Sequence, residues 1–148
     1  MKFLPLFAVF LLSTAIVLGA GTDDILGIWK TELDESKVEV YRCGEKICGE
    51  IVWLKRPVYN DGNDGQVGRQ IIDRKNPDPD MRNRPLIGLQ IMQGFSEQGD
   101  ATWGGGSCYD PKSGKSYRGE IRLAAPDRLE LRGFIGIPLF GRTSVWTR

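Results

Sequence analysis

Histidine does not occur anywhere in the 148 residues, and its absence excludes several classes of chemistry. Hydrolases of the Ser-His-Asp or Cys-His type need an imidazole as the base that activates the nucleophile. His-ligated zinc sites need it as a ligand, and switches that respond to pH near neutrality depend on its titration. None of these three functions is open to this chain.

The chain also lacks an excess of charge of either sign. It has 20 Lys and Arg against 19 Asp and Glu, and the first twenty residues hold one Lys and no acidic residue. Residues 21–148 therefore have no formal net charge. Proteins that bind nucleic acid generally carry a basic excess that neutralises phosphates, so we expect no nucleic-acid partner.

A metal site is not expected either. Asp61, Asn63 and Asp64 resemble the start of a calcium loop, but Gly65 stands where that pattern needs an oxygen ligand. A solvated turn explains this acidic cluster better. We expect the chain to bind no metal and no cofactor.

The first twenty residues have the layout of a secretory signal peptide. Lys2 is followed by an apolar run from Phe3 to about Leu18, and then by small residues up to Gly21. The alternative, a membrane anchor, needs about 20 apolar residues, and Ser13 interrupts this shorter run. We expect an exported protein, periplasmic or secreted, whose mature part, residues 21–148, is one domain with no membrane span.

Three cysteines follow the predicted signal peptide. Cys43 and Cys48 bracket a four-residue stretch that contains turn formers, and an oxidising compartment would let them form a disulfide. Two free thiols and a redox pair are the alternatives, although a redox pair usually has the spacing C-x-x-C. Cys108 remains as a thiol that packs like a small apolar side chain.

Apolar residues alternate with polar ones from Ile25 onward, as strands with one buried and one wet face do. The clearest case runs from Tyr117 to Leu123. Pro, Gly, Asn and Asp mark the turns between these runs. The pattern predicts an all-β, eight-stranded antiparallel up-and-down barrel, with strands near residues 25–31, 37–43, 47–54, 86–95, 101–109, 115–123, 128–135 and 140–147.

Residues 55–85 interrupt this rhythm with a connection that is too long for an ordinary turn. Loops of more than about 15 residues without secondary structure are usually functional or disordered. We expect a flap that covers one end of the barrel, with a single helical turn between Pro79 and Arg82, because proline suits the first position of a helix.

Gly27-Ile28-Trp29, early in the first predicted strand, resembles the Gly-x-Trp signature of the lipocalins and related calycins. In that superfamily an Arg of the last strand packs across the Trp and seals the closed end of the barrel. Arg142 lies near the start of the last predicted strand, and Arg148 lies at its end. Antiparallel pairing with the first strand favours Arg148, which leaves Arg142 for a role at the open end.

A second resemblance covers nearly the whole mature chain. It is carried by Cys48-Gly49-Glu50-Ile51-Val52-Trp53-Leu54, Asn76-Pro77-Asp78-Pro79, Arg82-Asn83-Arg84-Pro85-Leu86-Ile87-Gly88-Leu89 and Phe140-Gly141-Arg142-Thr143. These segments resemble an exported bacterial family known as domain of unknown function 2147. The resemblance implies an exported protein with a lipocalin-like barrel and no established activity, and it assigns no catalytic residue.

The leading functional hypothesis is binding of a small apolar or amphipathic molecule inside the barrel. An eight-stranded barrel is just wide enough to hold one small ligand or to be filled by its own side chains. The apolar face of each strand predicts a ligand-binding set. Its members are Val40, Trp53, Leu89, Ile121 and Leu131. The inward face is hardest to assign at Trp53, because both sides of its strand are apolar.

Two alternatives stay open. A packed barrel could act through its outer surface as an interaction or structural module with an envelope protein partner. A histidine-free hydrolase could use Asp78 and Asp80 of the flap with Arg82 and Arg84. A loop that anchors itself to the barrel by Arg–carboxylate pairs explains the same four residues more simply, so we expect a protein that is not an enzyme.

Overall fold

A computed structural model describes residues 23–60 and 66–148 of the chain. The predicted signal peptide and the acidic cluster with Gly65 lie outside the described residues. Within them, no helix is long and apolar enough to cross a membrane. The same residues contain no group of three or more His, Cys, Asp and Glu side chains that could hold a metal ion.

Eight antiparallel strands form a closed barrel in which each strand pairs with its neighbours in sequence and the last pairs with the first. The predicted all-β up-and-down barrel is confirmed. The strands are β1 (Gly27–Lys30), β2 (Ser36–Cys43), β3 (Lys46–Leu54), β4 (Gln90–Gly99), β5 (Thr102–Asp110), β6 (Lys115–Ala125), β7 (Arg128–Phe134) and β8 (Arg142–Thr147).

The alternation of the sequence becomes the two faces of the barrel wall. On β6, Ile121 and Leu123 are buried while Glu120 and Arg122 are exposed. Opposite Arg122 on β7 lies Glu130, and the two side chains form a salt bridge at 2.7 Å on the outer surface. A slip of one residue would bury these charges, so the pattern determines the register of the pair.

Turns delay the start of β4 and of β8 relative to their hydrophobic pattern. β4 starts at Gln90 rather than near residue 86, because Leu86 to Leu89 form a turn in which Gly88 has φ +85°. β8 starts at Arg142 rather than at residue 140, because Pro138–Phe140 forms a single 3₁₀ turn. Proline lacks the N–H that a strand ladder would need there.

The flap joins β3 to β4 and contains a short 3₁₀ helix at Pro79–Met81. Isolated bridges pair Val58 with Gln70 and Ile72 with Pro85, which fold the segment back on itself. The described part of the flap is therefore an ordered structure with its own backbone pairing. The predicted helical turn is present.

The up-and-down topology gives the barrel two different ends. The tight turns β2–β3, β4–β5 and β6–β7 meet at one end, which we call the closed end. The connections β1–β2 and β5–β6, the flap and the β7–β8 connection meet at the other, which we call the open end. The predicted disulfide joins Cys43 to Cys48 across the β2–β3 turn at the closed end.

Candidate ligand-binding cavity

The half of the barrel next to the open end contains a cavity of about 880 Å³. Its walls come from the inward faces of β3 to β8, and the flap contributes further apolar side chains. The apolar and aromatic residues that line it include Ile51, Leu54, Val58, Ile71, Leu86, Ile91, Met92, Tyr117, Leu131 and Trp146.

Small side chains on three strands leave this space. Cys108, Gly133 and Ser144 line the cavity from β5, β7 and β8. A Cβ atom added at Gly133 would meet nothing closer than the Cβ of Tyr117, at 3.5 Å. The cavity is therefore open at the position where a larger residue on β7 would project into it.

The Cys108 thiol belongs to the apolar part of the wall. It forms no disulfide, and burial raises its pKa to about 12. The thiolate is the reactive form of cysteine, so this thiol is inert at neutral pH. Its role in the wall is that of a small apolar side chain.

Charged residues surround the mouth of the cavity. Lys112 donates a hydrogen bond to Glu35, and Arg56 lies 3.8 Å from the same carboxylate. The Lys112 hydrogen bond, followed by its charge, holds the pKa of Glu35 below its usual value. On the other side, Arg142 donates to Glu32 at 3.0 Å. The cavity thus has an apolar interior and a charged rim.

A buried carboxylate anchors the flap over this mouth. Asp73 is fully buried and accepts hydrogen bonds from the Tyr109 hydroxyl at 2.5 Å, Asn76 at 2.8 Å and Arg84 at 3.2 Å. Tyr109 lies at the end of β5, so this network joins the flap to the barrel. Desolvation, followed by the hydrogen bond to Asp73, raises the pKa of Tyr109 to about 12.

The turn between β5 and β6 is a second point of close approach to the flap. Gly114 has φ +72°, and a Cβ atom there would overlap the carbonyl oxygen of Lys75. Only glycine satisfies both conditions at this position. The flap therefore packs backbone to backbone against the open end.

At the closed end, Arg148 lies across Trp29 with its guanidinium carbon 4.2 Å from the ring centroid. Its side chain donates to the carbonyl oxygens of Pro126, Leu26 and Asp24 at 2.8 to 2.9 Å. Trp29 is fully buried and donates to the Ile25 carbonyl at 2.8 Å. Of the two candidate arginines, the structure brings Arg148 to this Trp and places Arg142 at the open rim.

Comparison with known proteins places this barrel in a family. The model of the family described as "Uncharacterized protein conserved in bacteria (DUF2147)" matches residues 27–148. The chain belongs to this family. No curated protein matches it.

A solved structure supports the fold of this DUF2147 member. It is protein HP1028 from the human pathogen Helicobacter pylori, which is described as belonging to the lipocalin family. The TM-score is 0.67 at 24% sequence identity, and the match covers 83% of this chain and 81% of the other. The expected lipocalin-like barrel is therefore confirmed, as a statement about fold.

The cavity of this DUF2147 protein is lined by one of the five predicted ligand-binding residues, Leu131. Val40 and Ile121 are buried, but they point into the packed half near the closed end. Leu89 is buried in the turn that precedes β4 and does not line the cavity. The alternation of apolar and polar residues along a strand predicts which side chains point inward. It does not predict at which height along the barrel the interior is hollow.

Trp53 was assigned to the wrong face. Its side chain is 42% exposed on the outside of β3, where the Lys37 amino group lies 5.2 Å from the ring centroid. A bulge between Lys37 and Val38 shifts the register of β2 against β3 at this point. The tryptophan that the structure places in the cavity is Trp146, which lies on the same inward face of β8 as Ser144.

The four flap residues proposed for hydrolysis do not converge on the cavity. Asp78 caps the Pro79–Met81 helix by accepting from the Asp80 backbone N–H at 3.0 Å. Arg82 donates to the Asn76 carbonyl at 2.7 Å, and Arg84 pairs with Asp73. Anchoring through arginine is therefore observed, with Asp73 as the carboxylate partner. The apolar pair Ile71-Ile72 immediately before Asp73 was the available signal, since it places an acidic residue next to two partly buried side chains.

Proposed function

We propose that this protein binds one small amphipathic molecule, with the apolar part of the molecule inside the barrel and the polar end at the rim. The observation that carries the proposal is the cavity of about 880 Å³ at the open end. Ligand sites commonly have volumes of roughly 300 to 1,000 Å³ and bury most of a ligand that is the size of a drug molecule.

The distribution of polarity supports an amphipathic rather than a polar ligand. Ile51, Met92, Leu131 and Trp146 form apolar walls, and the ionised side chains of the lining lie at the rim. Burying an unpaired charge among such apolar walls would cost several kcal/mol of binding free energy. The charged group of a ligand therefore belongs beside Lys112, Glu35, Arg142 and Glu32.

Binding rather than catalysis is the role that this arrangement supports. Asp78 and Asp80, the carboxylates considered for hydrolysis, do not line the cavity. The Cys108 thiol does, but its raised pKa keeps it protonated. The Tyr109 hydroxyl is likewise held protonated and donates to Asp73.

The site of action that we propose is outside the cytoplasm. The disulfide between Cys43 and Cys48 supports this, because structural disulfides form and persist in oxidising compartments. Protein isolated from the periplasm or the medium should begin near Gly21, as N-terminal sequencing would show. After denaturation without reductant it should contain one reactive thiol. A chain that retains its first twenty residues would contradict export with cleavage.

Probe binding with a matched pair of variants tests the ligand site. Gly133→Leu places a large side chain into the cavity, whereas Ser116→Leu places the same side chain on the exposed face of β6. We expect an apolar fluorescent probe, 1-anilinonaphthalene-8-sulfonate, to bind the unmodified protein and Ser116→Leu equally. Gly133→Leu should weaken binding about tenfold, since it removes space that the probe needs.

Native mass spectrometry of protein purified from its own source provides a second measurement. A stoichiometric small-molecule adduct that Gly133→Leu loses and Ser116→Leu retains would support the proposal. If neither the probe nor any adduct binds the unmodified protein, the ligand-binding function is wrong.

A further inference from the structure

The connection between β7 and β8, residues 135–140, exposes four large apolar side chains to solvent. Ile135 is 70% exposed, Ile137 53%, Leu139 75% and Phe140 79%. Single exposed apolar residues are common, but a contiguous group usually marks an interaction site. We call residues 135–140 the apolar loop.

The protein holds the apolar loop in one conformation. Arg132 donates to the carbonyl oxygens of Pro138 at 2.7 Å and Leu139 at 3.3 Å, and also to the Thr143 hydroxyl at 2.9 Å. The Gly141 backbone N–H donates to the Pro138 carbonyl at 3.0 Å. These bonds satisfy the backbone of the turn while its apolar side chains stay in water. The exposure is therefore built into the fold.

The apolar loop stands beside the mouth of the cavity. Arg142, which follows it, lines the rim and pairs with Glu32 of the β1–β2 connection. Leu33, the next residue of that connection, is 79% exposed and also lines the rim. Leu33 has φ +66°, a conformation unusual for a residue with a side chain. One side of the mouth is thus bordered by exposed apolar side chains from two connections.

Basic residues flank this apolar surface. Arg132 and Arg142 enclose nine residues, 133–141, that contain no charged side chain. The Arg142 side chain is 85% exposed. Among the described residues that line the mouth, four are basic and three are acidic, although the mature chain is neutral as a whole: they are Lys55, Arg56, Lys112 and Arg142 against Glu32, Glu35 and Asp110.

We propose that the apolar loop docks the open end of the barrel on an anionic lipid bilayer. Peripheral membrane binding depends on two contributions. Apolar side chains enter the bilayer interface, and cationic side chains beside them contact anionic headgroups. A stable protein–protein interface takes about 20 to 30 residues from each partner, whereas this loop presents six. A bilayer is the occupant that a small protruding apolar surface with a basic border fits best.

Docking in this orientation turns the mouth of the cavity toward the lipid. Exchange of an amphipathic molecule between the bilayer and the barrel would then need little exposure of its apolar part to water. This consequence rests on the proposed function, but the docking itself does not, because Leu139 and Phe140 do not line the cavity.

The test compares flotation with vesicles of phosphatidylcholine alone and of phosphatidylcholine with phosphatidylglycerol. Leu139→Asn/Phe140→Asn removes the two most exposed side chains of the loop. Ile28→Asn is the control, since Ile28 is 52% exposed on β1, away from the loop. Phe140→Trp keeps an interfacial aromatic residue.

We expect the unmodified protein, Ile28→Asn and Phe140→Trp to float with anionic vesicles and the double variant to partition at least about tenfold more weakly. Added salt and vesicles without phosphatidylglycerol should both weaken binding. The double variant should still bind 1-anilinonaphthalene-8-sulfonate, and Gly133→Leu should still float. These two results separate a failure of docking from a failure of the ligand site.

The proposal is overturned if the unmodified protein does not float with anionic vesicles, or if the double variant floats equally well. Analytical ultracentrifugation of the same variants checks a competing occupant. A dimer that the double variant dissociates, with no vesicle binding, would assign the apolar loop to a second copy of the chain.

Discussion

The side of the barrel formed by β5 and β6 and the side formed by β7 use inward-facing glycines in opposite ways. On β5 and β6, glycines are covered by a neighbouring ring: a Cβ atom at Gly106 would lie 2.5 Å from Phe95, and one at Gly119 2.6 Å from it. On β7, Gly133 pairs with Gly119 across the ladder but has no such neighbour. A glycine on an inward face thus makes room for an aromatic ring on one side of the barrel and for the cavity on the other.

Strand irregularity helps to fill the barrel interior beside β5 and β6. Met92 and Phe95 are both fully buried although they are three positions apart, and regular alternation would turn one of them outward. A register shift between β3 and β4 and the positive φ of Gly94 (+74°) insert the extra residue. Bulges of this kind redirect a side chain at the cost of one ladder position. Phe95 reaches the glycines because of it.

The sharpest test of the difference applies one substitution to both sides, at two glycines that are paired across the β6–β7 ladder. Gly119→Leu should lower the free energy of unfolding by at least about 3 kcal/mol, because the new side chain collides with Phe95 and the Cys108 sulfur. Gly133→Leu should change it by less than about 1 kcal/mol. Urea unfolding followed by circular dichroism measures both. Equal losses would mean that the interior next to Gly133 is packed.

Removing the anchor of the flap should have the next largest effect. Asp73→Ala leaves Tyr109, Asn76 and Arg84 without their buried acceptor, and we expect a loss of about 2 to 3 kcal/mol. Limited proteolysis should then cut within the flap before the barrel. Asp78→Ala, which removes only an exposed cap, is the control and should cost about 0.5 kcal/mol. If both variants resist protease alike, Asp73 does not hold the flap.

A smaller effect on stability distinguishes Arg142, the first residue of β8, from Arg148, which follows its last residue. Arg148→Ala should cost about 1 to 2 kcal/mol and alter tryptophan fluorescence, because it removes the stacking on Trp29 and three backbone hydrogen bonds. Arg142→Ala should cost less than about 0.5 kcal/mol, since its ion pair with Glu32 is exposed. A melting temperature that falls more with Arg142→Ala would contradict the closed-end seal.

The smallest expected effect is a pH dependence from the cavity wall. Burial raises the pKa of Cys108 from 9.0 to about 12, so the folded state keeps a proton that the unfolded state loses. Stability from this group is complete below pH 9 and declines as the pH rises toward 12. At pH 9.5 the loss should be about 1 kcal/mol or less, and Cys108→Ala should reduce it. An identical alkaline decline in Cys108→Ala would mean that other groups, such as Tyr109, account for it.

Particular residues show how far sequence reasoning reached. The alternation from Tyr117 to Leu123 predicted a strand and its buried face, and the spacing of Cys43 and Cys48 around a turn predicted their disulfide. Trp53 was misplaced because a strand that is apolar on both sides carries no signal for its inward face. Asp73 was missed because its three partners lie on the flap and on β5, up to 36 residues away.

The sequence by itself determined the class of fold, the number of strands and the order in which they pair. Alternating hydrophobicity and turn residues act over a few positions, so they can be read locally. Only the tertiary structure decided which half of the barrel is hollow, which carboxylate holds the flap and which apolar residues stay in water. These outcomes depend on the volumes and hydrogen-bond partners of side chains brought together from different strands, and no local pattern records them.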